Sequence, residues 1–180
     1  MKTVVTTILA TTLLSATPVL ANNIEGHRVG LGFLTSNIEE VPFDYDYSTK
    51  GFKLEYGYDI NRIFGLNLSY TKGSGNYASP VDSDTSSFKI DTDIGYTFIF
   101  NDFNIKPYGV VGWTKFSEDI SVLGHDVYDW NDSSLFLGAG ARAQFGDHFY
   151  TDFRMDFMNM KDAGDDVFID QFSLTVGYKF

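Results

Sequence analysis

The segment Phe172-Ser173-Leu174-Thr175-Val176-Gly177-Tyr178-Lys179-Phe180 decides the fold class. Apolar side chains, most of them aromatic, take every second position, and small or polar residues fill the positions between them. A β-strand points successive side chains to opposite faces, whereas a helix would spread this pattern around its whole surface. The segment is therefore predicted to be a strand with one apolar face and one polar face.

The same period of two recurs along most of the sequence. In one example, Leu66, Leu68 and Tyr70 alternate with Asn67 and Ser69. The chain also holds 17 Phe, 11 Tyr and 17 Gly, a composition that strands accept better than helices do. Eight antiparallel strands are predicted, near residues 26–36, 50–58, 63–72, 86–100, 104–116, 134–145, 148–158 and 167–180.

The connections between these strands alternate in length. Short turns are predicted at residues 59–61, 101–103 and 146–147. Long polar loops are predicted near residues 37–49, 73–85, 117–133 and 159–166. Short turns at one end and long loops at the other are typical of bacterial outer-membrane barrels, in which the long loops are extracellular.

Residues 1–21 have the three-part pattern of a secretory signal peptide. Lys2 supplies the positive charge, residues 4–20 are apolar, and Val19-Leu20-Ala21 offers compact side chains before a cleavage site. The alternative is that residues 4–20 form a membrane anchor. Several threonines and Pro18 make this segment less apolar, which argues against an anchor. We expect a cleaved signal peptide at 1–21 and one barrel domain at 22–180. Because the sequence has no Cys, it has no disulfide or thiolate metal site.

Charges on the predicted polar faces argue for a closed barrel in lipid. Positive and negative residues there nearly balance, and charges enclosed in a narrow lumen must pair because an isolated buried charge is costly. We predict an all-β, eight-stranded antiparallel transmembrane β-barrel, closed, with a polar plugged interior. A soluble sandwich or lipocalin-like protein is the alternative. The predicted interior charge network comprises Arg28, Lys53, Glu55, Lys89, Asp91, Asp93, Arg142, Asp152, Arg154 and Asp156, and Lys106 and Lys179 also point inward.

Arg154 gives this network a specific expectation. Its partners are expected to be Asp91, Asp93 or Glu55 on other strands. Asp152 and Asp156 are ranked lower, because same-strand neighbours share a face but diverge along the barrel axis. Asn67 is expected to tolerate replacement by Ser.

Several segments resemble the Ail/OmpX family of small outer-membrane β-barrels, which are similar to the OmpA transmembrane domain. Residues 108–112 with Lys115-Phe116 resemble the family's fifth strand, residues 138–145 its sixth, and residues 176–180 its end. The resemblance implies a place in the bacterial outer membrane, contact with outer-membrane lipid and lipopolysaccharide, and an assembly signal at Tyr178 and Phe180 for the barrel assembly machinery. Family members are implicated in adhesion, host-cell entry, serum resistance and envelope stress.

The predicted long loops are strongly acidic, which departs from the basic or aromatic loops of adhesive relatives. They contain one base, Lys161, and fourteen acids: Glu39, Glu40, Asp44, Asp46, Asp82, Asp84, Glu118, Asp119, Asp126, Asp129, Asp132, Asp162, Asp165 and Asp166. Such a surface repels nucleic acid and heparin-like polyanions and attracts cations or cationic cell-surface partners. We expect no cofactor and no nucleic-acid partner.

These observations favour a non-enzymatic outer-membrane structural and interaction barrel, whose acidic loops serve adhesion or envelope-surface contacts. One alternative is a narrow ion or small-solute channel, which the many small inward residues would suit. The other is a lipid-modifying enzyme, which needs a histidine base near a serine at the outer rim. Only His125, beside Asp126 and upstream of Ser133 and Ser134, lies in a predicted outer loop. We predict no catalytic and no metal-binding residue.

Overall fold

The structure is a computed structural model that describes residues 24–40, 45–78, 81–122, 125–162 and 165–180. The expected signal peptide at 1–21 lies outside the described residues. No helix in the described part of the chain is long and apolar enough to cross a membrane. The strands are β1 Gly26–Glu40, β2 Tyr45–Asp59, β3 Phe64–Ala78, β4 Val81–Gly95, β5 Phe98–Ile99, β6 Phe103–Val122, β7 His125–Phe145, β8 Phe149–Asp162 and β9 Asp165–Lys179.

The first and last strands close the sheet into a barrel. β1 pairs with β2 on one side and with β9 on the other, so that Gly30 lies opposite both Glu55 and Gly177. β4 pairs with β6, and β5 is a two-residue strand against the beginning of β6. The order around the barrel is β1, β2, β3, β4, β6, β7, β8, β9. The eight-stranded antiparallel barrel that the sequence predicts is confirmed, with one short additional strand.

Side chains alternate across the barrel wall as the period of two predicts. On β3, Leu68 is 39% exposed and points outward, whereas the neighbouring Asn67 is 4% exposed and points into the barrel. Residues 108–113 on β6 carry apolar side chains on both faces of the strand. Tyr108 and Val110 are buried inside, and Trp113 faces outward.

The segments predicted as long loops are mostly strand, and this prediction is wrong. β1 continues to Glu40 and β2 begins at Tyr45. The strands on either side of the other three predicted loops likewise continue, to Ala78 and from Val81, to Val122 and from His125, and to Asp162 and from Asp165. The reason is an inversion of polarity. Near these strand ends most apolar side chains point inward, as Ile38 does, and polar side chains such as Asn37 point outward, although Val127, Tyr128 and Phe168 are exposed. Inward and outward side chains therefore continue to alternate, but near the strand ends the apolar side chains lie mainly on the inner face of the barrel and not on the outer face.

The fourth predicted strand, at 86–100, is interrupted. β4 ends at Gly95, whose N–H donates to the carbonyl of Ile63 at 2.9 Å, and the N–H of Thr97 donates to Arg62 at 3.0 Å. A Cβ atom at Gly95 would collide with the carbonyl oxygen of Pro107. Only glycine permits this close approach between β4 and β6.

Candidate functional site

The lower half of the barrel interior, near the short turns, is filled by paired charges. Arg28 is fully buried, and its guanidinium donates to Asp59 at 3.1 Å, to Glu55 at 3.4 Å and to the amide oxygen of Asn67 at 2.8 Å. The Asn67 amide nitrogen in turn donates to Asp93 at 3.1 Å. Asn67 thus bridges a cation and an anion, which makes it a specific part of the network.

A second centre forms around Arg142 on β7. Its guanidinium binds Asp152 on β8 at 2.8 Å, and it reaches Asp59 at 3.3 Å and Asp93 at 3.4 Å across the lumen. Lys106 on β6 also binds Asp93. The planar guanidinium presents several donors at once, so it can join carboxylates from three strands.

A third centre lies higher, around Arg154 on β8. Its two terminal nitrogens bind the two oxygens of Asp91 on β4, at 3.1 and 2.8 Å. Its Nε donates to Asp156 at 2.7 Å, and Lys89 binds the same carboxylate at 2.6 Å. Asp91 is one of the partners expected for Arg154, whereas the contact with Asp156 corrects the lower rank that the sequence analysis gives this residue. The long side chain of Arg154 can therefore reach Asp156, which lies two residues further along the same strand.

Two more lysines complete the ion pairs. Lys53 binds Glu55 at 2.6 Å and lies 3.5 Å from the hydroxyl of Ser173. Lys179 binds Asp59 at 3.0 Å. All ten residues of the predicted network are buried inside the barrel and take part in ion pairs.

Asp59 lies outside the predicted network, yet its carboxylate accepts from two arginines and a lysine. The composition of Asp59-Ile60-Asn61 predicts a turn at this position. The signal that would have found it is the polar face of β2, on which Lys53, Glu55, Gly57 and Asp59 continue one alternation.

Two phenols pack among the charges. Tyr108 donates to Asp152 at 2.6 Å, and Tyr150 donates to Glu55 at 3.3 Å. A Cβ atom at Gly140 would lie 2.5 Å from the Tyr108 hydroxyl oxygen. Inward glycines therefore make room for the large side chains that fill the lumen.

Above the ion pairs the interior becomes apolar, which the sequence analysis did not predict. Glu118, counted there among the surface acids, is fully buried in this layer. Its carboxylate accepts from Tyr47 at 2.6 Å, from the Trp130 indole at 3.1 Å and from Ser83. The buried apolar side chains form one cluster, which extends down to Tyr108 and Val110 at the level of the ion pairs. Its members are Ile38, Tyr47, Tyr108, Val110, Phe116, Trp130, Phe136, Met158, Met160, Val167 and Ile169.

The outer surface has two zones. The lipid-facing belt consists of exposed apolar side chains, among them Leu31, Phe33, Phe52, Leu54, Leu66, Leu68, Tyr70, Phe88, Ile90, Val111, Trp113, Leu135, Leu137, Phe153, Phe157, Leu174 and Val176. The crown consists of the strand ends beyond the belt, at residues 35–40, 45–50, 72–78, 81–86, 115–122, 125–133, 159–162 and 165–170. Its exposed acids include Glu39, Asp82, Asp84, Asp119, Asp129, Asp165, Asp166 and Asp170.

The two residues of the expected assembly signal lie at the opposite end, beside the β1–β9 seam. The Tyr178 ring stacks on His148 with 4.9 Å between ring centroids. The N–H of Phe180 donates to the carbonyl of His27 at 2.9 Å, and the N–H of His27 donates back to Phe180 at 3.0 Å. Phe180 therefore takes part in closing the barrel. Its role in assembly stays a prediction.

The structure places His125 far from Ser133, one of the two serines of the enzyme hypothesis. Ser133 is eight residues further along the same strand, which corresponds to about 26 Å. The neighbouring Ser134 donates to the carbonyl of Leu135 at 2.9 Å. In the described part of the chain, no group of three or more His, Asp or Glu side chains is placed to hold a metal ion.

Comparison with known proteins agrees with this architecture. The attachment invasion locus protein of Yersinia pseudotuberculosis serotype I (strain IP32953) is 25% identical over 185 residues, which cover 97% of each chain. The crystal structure of Ail, the attachment invasion locus protein of Yersinia pestis, superposes with a TM-score of 0.63 at 23% identity and covers 87% of this chain and 99% of that one. A second crystal structure of that protein holds the heparin analogue sucrose octasulfate.

A barrel from another genus is equally similar in fold. Neisserial surface protein A superposes with a TM-score of 0.65 at 18% identity, and the match covers 86% of this chain and 97% of that one. Residues 6–180 match the outer membrane protein beta-barrel domain family. The chain therefore belongs to the outer membrane protein beta-barrel domain family, as an Ail/OmpX-like small barrel of the bacterial outer membrane.

Proposed function

We propose that this protein is a non-enzymatic surface interaction barrel, which anchors an acidic crown outside the cell for adhesion or envelope-surface contacts. The observation that carries the proposal is the crown itself. Its acids stand on continuous strands that are closed into a barrel and packed around an interior apolar cluster. Strands held in this way present charges at fixed positions, which lowers the entropic cost of binding a partner.

The sign of the crown's charge selects the class of partner. The exposed acids of the crown outnumber its exposed lysines, and a field of this sign attracts cationic surfaces and cationic peptides. The Yersinia pestis relative is seen with a heparin analogue, which is a polyanion. The name of the relatives indicates attachment, and we propose that this chain also attaches to surfaces. We propose that its partner is cationic.

The test compares attachment of cells that carry the full-length protein with cells that carry a crown variant. The variant is Asp82→Asn, Asp84→Asn, Asp119→Asn and Asp129→Asn together. The host should lack related surface barrels, and the surfaces should be coated with cationic, neutral or anionic polymer. The native protein should increase attachment to the cationic surface, and the variant should lose most of that increase.

A matched control exchanges exposed neutral residues of the same crown, by Asn37→Ser, Ser48→Asn, Ser74→Asn and Asn131→Ser. These changes alter the surface without altering its charge, so attachment should stay at the native level. If native, variant and control proteins attach equally at equal surface amounts, the interaction proposal is wrong.

A narrow channel is the second candidate, and one observation favours it. Four buried hydroxyls have no hydrogen-bond partner among the described residues, namely those of Ser36, Ser69, Thr114 and Thr175. Buried polar groups of this kind commonly bind water, so the middle of the lumen is suited to hydration. The apolar cluster above this level and the ion pairs below it oppose passage. Planar-bilayer recordings of the native protein should show no discrete conductance, and single-channel steps would favour the channel.

A further inference from the structure

Four buried cations form two cross-strand pairs in the lumen at the end of the barrel that carries the short turns. Arg28 on β1 lies directly opposite Lys179 on β9, and Lys106 on β6 lies directly opposite Arg142 on β7. All four side chains point inward, and none of these residues is more than 6% exposed. Like charges directly opposite each other destabilise a sheet, so the two pairs require anions beside them.

The carboxylates at this level do not balance the four cations. Higher in the lumen, each cation is matched by a carboxylate, since Lys89 and Arg154 pair with Asp91 and Asp156, and Lys53 pairs with Glu55. Three carboxylates then remain for the four cations, namely Asp59, Asp93 and Asp152. One positive charge is therefore in excess at this end.

Two other carboxylates do not supply the missing charge. Glu118, the remaining buried acid, lies in the apolar layer twelve residues along β6 from Lys106, which corresponds to about 40 Å. Within the part of the chain that the structure describes, the terminal carboxylate of Phe180 takes part in none of the ion pairs of the four cations. The excess charge is therefore not neutralised by a neighbouring side chain or by the chain terminus.

A cavity of about 20 Å³ lies beside the excess charge. Three of the four cations and two amides contribute to its lining, namely Lys106, Arg142, Lys179, Asn104 and Gln144. Asp59 also lines it, but its carboxylate already accepts from three cations. A space of this size holds about one water-sized particle. The cavity therefore suits a monoatomic anion and is too small to enclose a phosphate or a sulfate.

The donors that could hold an anion are present in this lining. Among the described residues the Lys106 ammonium contacts one carboxylate, that of Asp93. An ammonium group has three N–H donors, so two of them remain for a ligand. Lys179 donates to Asp59 at 3.0 Å and to the carbonyl of Ile24 at 2.6 Å, which leaves one. The amide of Asn104 can add a further N–H.

We propose that this cavity is a chloride site, in which the anion lies between Lys106 and Lys179 and supplies the missing negative charge. The short turns of such barrels face the periplasm, so the chloride comes from the periplasmic side. Its role is structural, because it allows the two cation pairs to face each other across neighbouring strands. The site does not depend on the crown or on the crown's partner.

The first experiment measures urea unfolding of the full-length mature protein in lipid vesicles, in sodium chloride and in sodium gluconate at equal ionic strength. Gluconate is too large for the cavity, so it supplies the same screening without filling the site. A ligand that binds only the folded state at ten times its dissociation constant lowers the unfolding equilibrium constant by about 11-fold. The native protein should show a decrease of this order in chloride. Equal unfolding in the two salts would overturn the proposal.

Gln144→Glu tests the site with a covalent substitute for the anion. The new carboxylate supplies the missing charge inside the cavity, so the variant should be as stable in gluconate as the native protein is in chloride. It should also show no response to chloride. Asn101→Asp is the matched control, because it adds the same charge at an exposed position of a short turn, and it should respond to chloride as the native protein does. A chloride response retained by Gln144→Glu, or lost in Asn101→Asp, would contradict the proposal.

Direct binding is measured by the width of the chlorine NMR signal of sodium chloride, which broadens when chloride exchanges with a protein site. The native protein in detergent should broaden the signal, and Lys106→Met should not, because it removes the excess positive charge. This variant keeps the proposal testable even if Gln144→Glu folds poorly. Lys161→Met, which removes an exposed lysine far from the cavity, should broaden the signal as the native protein does. Equal broadening by Lys106→Met and the native protein would overturn the site.

Discussion

Arg154 on β8 holds both carboxylate oxygens of Asp91 on β4, at 3.1 and 2.8 Å. The two strands are not neighbours, since β6 and β7 lie between them. The bidentate pair therefore crosses the lumen and ties two sides of the barrel together. Both side chains are buried, so the pair is shielded from solvent and from salt.

Replacing Arg154 by Met should lower the free energy of unfolding by about 3–5 kcal/mol, because a buried carboxylate loses its partner. Adding Asp91→Asn should restore part of this loss, since it removes the uncompensated charge. Urea unfolding of the purified protein in lipid vesicles gives the double-mutant cycle. Glu55, which pairs with Arg28 and Lys53, is the control partner and should show weak coupling to Arg154. A coupling energy near zero for Asp91 would mean that the lumen is wet, which would favour the channel.

Glu118→Gln should destabilise the crown although it preserves size. The two carboxylate oxygens accept from Tyr47 and Ser83 on one side and from the Trp130 N–H on the other. The amide nitrogen that replaces one oxygen would face a hydrogen-bond donor and leave a donor without an acceptor. A buried unsatisfied donor costs about 1–3 kcal/mol. Trp130→Phe in the same chain removes the opposing N–H and should recover part of the loss. Protease resistance of the crown at graded urea concentrations measures this, and additive effects would contradict it.

Gly57→Ala should be harmful, whereas Gly109→Ala should be tolerated. A Cβ atom at Gly57 would lie 2.5 Å from a terminal nitrogen of Arg28, which is fully buried. Overpacking of this kind costs about 1–3 kcal/mol. A Cβ atom at Gly109 meets its nearest neighbour at 3.9 Å. Thermal unfolding of the two variants compares them directly. Equal midpoints would show that the Arg28 side chain can move without loss.

Leu68→Arg should reduce stability by about 2–4 kcal/mol if the residue lies near the bilayer midplane. The matched control is Ser74→Arg on the same strand and face, because Ser74 is exposed in the crown above the belt. That change should cost little. Urea refolding into vesicles gives both values, and equal losses would mean that the belt has been placed at the wrong height.

Comparison of Phe180→Ala with deletion of Phe180 should distinguish a role of this residue in assembly from its role in closing the barrel. The alanine variant keeps the backbone pair with His27 and loses only the ring, so its stability after refolding should stay close to native. Its level in the outer membrane should fall if the terminal aromatic is read during assembly. The deletion also removes the two backbone hydrogen bonds, so it should lower stability as well. An unchanged outer-membrane level of the alanine variant would refute the assembly role.

The period of two was sufficient to predict strands, faces and closure. Residues 64–71 alternate so regularly that the inward Asn67 and the outward Leu68 follow from the sequence. The inward charges follow from the same alternation, because lipid excludes them from the other face. The ion-pair partners of those charges cannot be predicted from the alternation. Asp91 and Arg154 are 63 residues apart, and their contact depends on the pairing register of every strand between them.

Two features were decided by the tertiary structure alone. Above the belt the outer face of the barrel meets water and not lipid, so polar side chains lie on the outer face and most apolar side chains lie on the inner face. An acidic strand end such as residues 36–40 therefore has the composition of a loop. Glu118 shows the consequence. Its sequence neighbours predict a surface acid, yet the strand carries it inward to Tyr47, Ser83 and Trp130. Local sequence therefore determined which residues alternate and, within the belt, which face is inside. Closure of the barrel determined which face is inside in the crown and what each side chain binds.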